Sequence, residues 1–99
     1  MREHIDAPMA EAVIRWRTAE QGGRLSGPPT AAVYMATTVF EHLDLHLSIL
    51  IEQLEEREDG SRTCKLDFLV RELAQPHLSP GVRLPVMEGP RVVAEVELT

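Results

Sequence analysis

The sequence predicts an all-β domain of six short antiparallel strands, arranged as a sandwich or as a closed barrel. Apolar residues recur at every second position over most of the chain, turn residues separate these runs, and no segment has a convincing helical pattern. A chain of 99 residues with 43% apolar content is long enough for one hydrophobic core and too short for two ordinary domains. We therefore predict a single domain over residues 10–99, preceded by a loose arm over residues 1–9.

The first two strands are predicted by their side-chain patterns. In residues 11–17, Ala12, Ile14 and Trp16 alternate with two arginines, so one face of this strand contacts solvent. Residues 31–40 are rich in β-branched and aromatic side chains and carry no charge. This composition favours a buried strand.

The third strand is predicted over residues 43–51, where leucine or isoleucine occupies every second position. The same run also places leucines at helical spacing, but a helix leaves Leu45 and Ile49 unexplained, so we predict a strand. The alternating positions are Leu43, Leu45, Leu47, Ile49 and Ile51.

Two hairpins are predicted in the second half of the chain. Residues 63–70 follow a turn at Glu58-Asp59-Gly60-Ser61 and pair back onto the third strand. After a loop over residues 75–81, the strands 82–87 and 92–98 form a second hairpin around Glu88-Gly89-Pro90. Pro85 has no N–H to donate, so its nitrogen is expected at an edge or a bulge.

Negative charge is concentrated in one part of the sequence. The net charge is −6, and residues 41–60 hold seven acids against Arg57 alone, whereas the flanking segments are balanced. The acidic segment 52–60 reads as a solvated loop, and we refer to residues 52–59 as the acidic hairpin. An acidic domain repels polyanions, which argues against nonspecific binding of nucleic acid.

Composition also bears on the compartment and on redox chemistry. No run of about 20 apolar residues predicts a membrane span, and residues 1–6 lack the apolar segment of a signal peptide. We therefore expect a cytoplasmic protein with no membrane partner. Cys64 is the single cysteine, which leaves no intrachain disulfide and no thiolate metal cluster. Its place on the apolar side of a strand predicts an inert core thiol.

No cluster of residues predicts catalysis or a metal site. His42, Asp44 and His46 are residue types that bind iron, but on a strand the two histidines lie about 13 Å apart, and the solvent-facing side of a strand explains them. The serines and Cys64 belong to no nucleophile motif. We therefore predict a non-enzyme with no metal and no cofactor.

Gly22-Gly23-Arg24 has two interpretations. The backbone N–H groups and the guanidinium could hold a phosphate, or the two glycines could provide the positive φ angles that a turn requires. The segment matches neither a P-loop nor a dinucleotide fingerprint, so no nucleotide site is predicted.

Three features of the sequence occur in the same order as in one known protein family. A strand over residues 12–17 runs into Gly22-Gly23-Arg24, Tyr34 precedes the paired threonines 37 and 38, and the closing hairpin turns at Glu88-Gly89-Pro90-Arg91. Together they resemble the C-terminal, third domain of elongation factor Tu over residues 10–98. The resemblance implies a six-stranded antiparallel β-barrel. It also implies partner- or RNA-binding roles at positions that in the family face the T stem of aminoacyl-tRNA or adjoin the turn: Gly22, Gly23, Arg24, Glu88, Gly89 and Arg91.

Several departures from the family weaken the expectation of tRNA binding. The chain has no GTP-binding domain, so GTP hydrolysis is not carried over. The loop after Arg24 is shortened to Gly27-Pro28-Pro29-Thr30, the second turn glycine is Pro90, and Glu95 and Glu97 add carboxylates to the last strand. Neutralisation of phosphates supplies much of the affinity for nucleic acid.

The sequence therefore predicts a non-catalytic interaction module whose partner is a protein. The exposed recognition surfaces would be the acidic hairpin and the two turns that contain Arg24 and Arg91, because loops on a rigid barrel commonly carry binding residues. Two alternatives stay open: a tRNA- or RNA-binding accessory of translation without GTPase activity, and a structural subunit of a larger assembly.

Overall fold

Six antiparallel strands close into a barrel in the computed structural model, which describes residues 4–99 and, for Glu41, the backbone only. Their order around the barrel is β1-β4-β3-β2-β5-β6. The strands are β1 (Ala10–Trp16), β2 (Tyr34–Phe40), β3 (Leu45–Glu56), β4 (Arg62–Phe68), β5 (Arg83–Glu88) and β6 (Arg91–Leu98). The predicted six-stranded antiparallel barrel is confirmed.

The connections follow a Greek-key path. Strands β2, β3 and β4 are consecutive antiparallel neighbours, whereas β1 pairs with β4 and reaches β2 through the long connection 17–33. Strands β5 and β6 form the closing hairpin, and β6 pairs with β1 to complete the barrel. Closure removes the open sheet edges that would otherwise promote aggregation.

The hydrophobic core lies inside the barrel, as the period-2 pattern predicts. Alternate side chains of the strands point inward and are almost fully buried. They include Ile14, Phe40, Ile49, Ile51, Leu66, Phe68, Val86 and Val96. Thr38 on β2 is also completely buried, so its hydroxyl lies among apolar side chains.

The two ends of the barrel carry different structures. We call the end that holds the β1–β2 connection, the β3–β4 turn and the β5–β6 turn the turn end. The opposite end, which we call the helix end, holds the one-turn α-helix α1 (Arg71–Ala74). Short 3-10 turns occur at Ala19–Gln21, Glu41–Leu43 and Gln75–His77. Among residues 4–99, no helix is long and apolar enough to cross a membrane.

Local predictions for three segments are corrected by the structure. Strand β2 begins at Tyr34 rather than at residue 31. Strand β3 begins at Leu45 and continues through Glu56, so the first part of the predicted acidic loop is strand. Residues 71–77 form helical turns where we predicted no helix. Each correction concerns residues whose conformation depends on strand pairing or end packing, which a local pattern does not report.

Glu52 shows why the acidic segment is not uniformly solvated. It is 8% exposed because residues 4–5 cover it: the Ile5 N–H donates to Glu52 Oε1 at 2.8 Å, and His4 Nδ1 lies 2.8 Å from Oε2. Ile5 itself is 1% exposed. Residues 4–9 of the predicted loose arm are therefore held against the barrel, and residues 1–3 lie outside the described residues.

Pro85 is placed where a proline is tolerated in a sheet. The pairing of β5 with β6 shifts register between Val86 and Met87, the two residues that follow Pro85. On its other side, β5 pairs with β2 only at Thr37–Met87. An irregularity of the β5–β6 ladder therefore lies close to the proline, which is where a residue without an N–H donor is tolerated.

Candidate interaction site at the turn end

The two predicted turns meet at Arg24 and Glu88. Arg24 Nε lies 3.4 Å from Glu88 Oε2, and the Tyr34 hydroxyl donates a hydrogen bond to the same oxygen. The Arg24 guanidinium also lies over the Tyr34 ring, 5.5 Å from its centroid. Burial and, to a smaller extent, the hydrogen bond to Glu88 raise the pKa of the Tyr34 phenol above its ordinary value, so the hydroxyl remains a donor even in alkaline solution.

Trp16 packs against the cluster formed by Arg24, Tyr34 and Glu88. Its ring packs edge-on against Tyr34 with centroids 5.5 Å apart, and its Nε1 donates to Gln53 Oε1 at 2.8 Å. Gln53 Nε2 then donates to the Pro29 carbonyl at 3.4 Å. The chain has one tryptophan and one tyrosine, and this is where they meet. The β1–β2 connection is thereby attached to both β2 and β3.

The Gly-Gly-Arg segment is a tight turn. The N–H of Gly22 donates to the Ala19 carbonyl at 3.1 Å, and the N–H of Gly23 donates to the Thr18 carbonyl at 2.8 Å. Both groups are bonded within the turn, so the geometry favours the turn interpretation over the phosphate cradle. The turn interpretation predicted a positive φ at both glycines, and the structure differs from this prediction at one of them.

Of the two adjacent glycines, only Gly22 has a positive φ, at 90°, where it ends the 3-10 turn. Gly23 is required for space: a Cβ atom there would lie 2.1 Å from the carbonyl oxygen of Arg17. Backbone conformation therefore explains the glycine at position 22, and lack of space for a side chain explains the glycine at position 23.

The β5–β6 turn presents its residues to solvent. Gly89 has φ 59°, the left-handed conformation that glycine adopts without a Cβ penalty, and Glu88 pairs with Arg91 across the hairpin. Gly89 and Arg91 are exposed. Together with Gly22, Gly23 and Arg24, all six predicted site residues lie at the turn end.

The acidic hairpin is exposed from residue 54 to its tip at Asp59. Asp59 Oδ1 accepts hydrogen bonds from the Ser61 N–H at 3.0 Å and the Ser61 hydroxyl, and Arg15 Nη1 donates to Oδ2 at 2.7 Å. These bonds hold the pKa of Asp59 well below its usual range. The side chains of Glu55, Glu56 and Glu58 are exposed beside it, so the turn end has a fixed, negatively charged edge.

A groove of about 790 Å³ runs between the tip and the β1–β2 connection. Its lining includes Trp16, the prolines 28 and 29, and three arginines, Arg17, Arg24 and Arg62, with Glu56 as an acidic neighbour. Positive and negative side chains are thus both available at this end of the barrel.

Other candidate groups are not assembled into a site. Asp44 has φ 50° after the 3-10 turn that contains His42, and β3 begins at Leu45, so the three residues His42, Asp44 and His46 do not share one strand. Within the described range 4–99, no group of three or more His, Cys, Asp or Glu residues is placed to hold a metal ion. Cys64 is 1% exposed, and burial raises the pKa of its thiol to about 12, as expected for a core thiol.

Sequence reasoning missed the role of Trp16 and Tyr34 in joining the two turns. Both stand at strand ends that border the β1–β2 connection, which is the signal that could have indicated it. Comparison of the chain with models of protein families, with characterised proteins and with solved structures finds no significant match.

Proposed function

We propose that this chain is a non-catalytic, protein-binding module on a barrel that resembles the third domain of elongation factor Tu. Its recognition surface would be the turn end, and its compartment the cytoplasm. The contact between Arg24 and Glu88 is the observation that carries the proposal. It joins two loops from distant parts of the sequence into one surface, and a rigid scaffold with variable loops is a common basis for recognition.

The contacts of Arg24 and the exposed carboxylates of the acidic hairpin favour a protein partner over a nucleic acid. Arg24 already contacts a carboxylate and an aromatic ring, so its charge is partly satisfied within the chain. The exposed carboxylates of Glu55 and Glu58 would repel a polyanion, whereas a basic protein surface would complement them. The net charge of −6 acts in the same direction.

One observation favours an alternative, an RNA-binding accessory of translation. Arg17, Arg24 and Arg62 line the groove beside Trp16, and arginine with an aromatic ring is a combination that also binds single-stranded RNA. Binding of this kind would fall steeply with salt, because phosphate contacts release counterions.

Two measurements distinguish the candidates. In the first, amide NMR spectra are recorded with mixed aminoacylated tRNA at low and at physiological salt, with attention to Gly22, Gly23, Arg24, Glu88 and Gly89. Shifts confined to these turns that persist at physiological salt would establish the RNA alternative. We expect none at physiological salt.

In the second, proteins that crosslink to the barrel in a cytoplasmic extract are quantified for the wild type and for a double variant, Glu55→Gln with Glu58→Gln. We expect at least one protein to be lost from the double variant. Arg83→Ala, a charge change near the helix end, is the control and should retain it. An unchanged set of crosslinked proteins in the double variant, and also in Arg91→Ala, would refute the proposed surface.

A further inference from the structure

A second groove lies on the outer face of the barrel where β2 and β5 separate. The two strands pair only at Thr37–Met87, and beyond this pair Pro85 offers no N–H to continue a ladder. The groove has a volume of about 740 Å³, within the range of small-molecule pockets. It lies mainly on strands and on the helix end, and the proposed recognition surface contributes only Arg17 to it.

The floor and one wall of this groove are apolar or aromatic. Val39, Pro85 and Val92 line it from three neighbouring strands. At the helix end, the His77 ring packs on Phe40 with centroids 5.4 Å apart, and His42 meets His77 edge-on at 5.7 Å. The packed rings of His42 and His77 offer a surface suited to an aryl or acyl group.

Two arginines line the groove beside its apolar residues. Arg17 and Arg83 line it, against a single carboxylate, Glu95. Arg17 Nη2 donates to Glu95 at 3.2 Å, and Arg83 Nε donates to Glu97 at 3.1 Å. A guanidinium has five N–H donors, so each arginine has further donors to offer, and Glu95 is already compensated by Arg17. Each arginine is thus paired with one carboxylate and keeps N–H donors that a bound ligand can use.

We propose that this groove binds a small apolar carboxylate, such as an arylalkanoate. Its apolar part would lie on Val39, Pro85 and Val92 against the imidazole wall, and its carboxylate would accept hydrogen bonds from Arg83 and Arg17. The volume fits a molecule of this size, and charge-assisted hydrogen bonds from the free guanidinium N–H groups favour the carboxylate over its neutral analogue.

The test is an amide NMR titration of the full chain with 3-phenylpropionate and with its neutral amide, 3-phenylpropanamide. We expect saturable shifts at Val39, Phe40, His77, Val82 and Val92 with the acid, and binding of the amide that is about tenfold weaker. Arg83→Gln should weaken binding of the acid to a similar extent. Arg91→Gln, the same charge change at the turn end, should not.

Three results would overturn the proposal: absence of saturable shifts in the wild type, equal binding of acid and amide, or equal weakening by both arginine variants. The same combination of an aromatic ring and a carboxylate also occurs at the C-terminus of a protein. A peptide that ends in phenylalanine with a free carboxylate, compared with its amidated form, tests this alternative ligand. Tighter binding of the free peptide than of 3-phenylpropionate would assign the groove to a protein C-terminus and refute a small-molecule site. Unperturbed spectra of both variants outside the groove establish that each is folded.

Discussion

The side chain of Arg24 contacts Glu88 across the turn end, with Nε 3.4 Å from Oε2, and this ion pair links the β1–β2 connection to the β5–β6 turn. The two side chains are 23% and 41% exposed, so solvent screens the attraction. A double-mutant cycle with Arg24→Ala and Glu88→Gln should give a coupling energy of about 0.5 to 1 kcal/mol in urea unfolding.

The control for this cycle is the pair Arg83 and Glu97, whose side chains are 75% and 53% exposed, so it should couple by less. Arg24→Lys should lose much of the coupling, because lysine keeps the charge but lacks the planar group that lies over Tyr34. A coupling energy of zero for Arg24 and Glu88 would contradict a structural link between the turns.

Gly23 should tolerate no side chain. A Cβ atom would lie 2.1 Å from the Arg17 carbonyl oxygen, so Gly23→Ala should destabilise the fold by about 3 kcal/mol, measured by urea unfolding. Gly22→Ala is the matched control: it adds a methyl with nothing within 4 Å, at a φ of 90°, and should cost about 1 kcal/mol. Equal losses at the two glycines would show that backbone conformation, and not space, governs both positions.

Thr38 should be replaceable by valine with a gain in stability. Its side chain is 0% exposed, and its hydroxyl has no hydrogen-bond partner within the part of the chain that the structure describes. Valine has the same shape without a buried polar group, so Thr38→Val should raise the free energy of unfolding by about 1 kcal/mol. Thr37→Val, at the half-buried neighbouring position, should change stability by less. Loss of stability in Thr38→Val would mean that the hydroxyl is bonded in solution.

Glu52 should make the protein sensitive to acid. The hydrogen bonds from His4 and from the Ile5 N–H lower the pKa of this carboxyl below its ordinary value of 4.5. A carboxyl with a lowered folded-state pKa contributes stability above its unfolded pKa, and this contribution is lost as the pH falls through the folded pKa.

Wild-type stability should therefore fall more between about pH 5 and pH 3 than that of Glu52→Gln, in urea unfolding at each pH. Glu58→Gln removes an exposed carboxylate of the acidic hairpin tip and should follow the wild-type curve more closely. Parallel curves for the wild type and Glu52→Gln would rule out the contribution of Glu52.

Cys64 should react with thiol reagents only when the barrel opens. Its thiol is 1% exposed with a pKa of about 12, so the reactive thiolate is scarce and inaccessible at pH 8. Ellman's reagent should label the native protein far more slowly than the urea-unfolded protein. Ser26→Cys in a Cys64→Ala background places a thiol on an exposed loop and should label at once. Equal native labelling rates for the two thiols would contradict the buried position.

The sequence by itself determined the class of fold. Alternation at Ala12, Ile14 and Trp16, and again at Cys64, Leu66 and Phe68, directs one side of each strand inward, because successive strand residues point to opposite faces. Turn residues such as Gly60 and Gly89 separate the strands for an equally local reason, since glycine accepts a positive φ. These signals depend on neighbours in the chain, and the fold could therefore be predicted before the structure.

Only the tertiary structure decided which side chains meet. The contact of Arg24 with Glu88, the burial of Glu52 under Ile5 and the opening of the groove beside Pro85 all follow from the way the barrel closes and from the register of its strands. The candidate site was thus predicted as six residues in two turns, without the interaction between them or the Trp16 and Tyr34 side chains that support it. Long-range strand pairing brings together residues from distant positions in the sequence, and no local pattern of polarity or spacing specifies which of them come into contact.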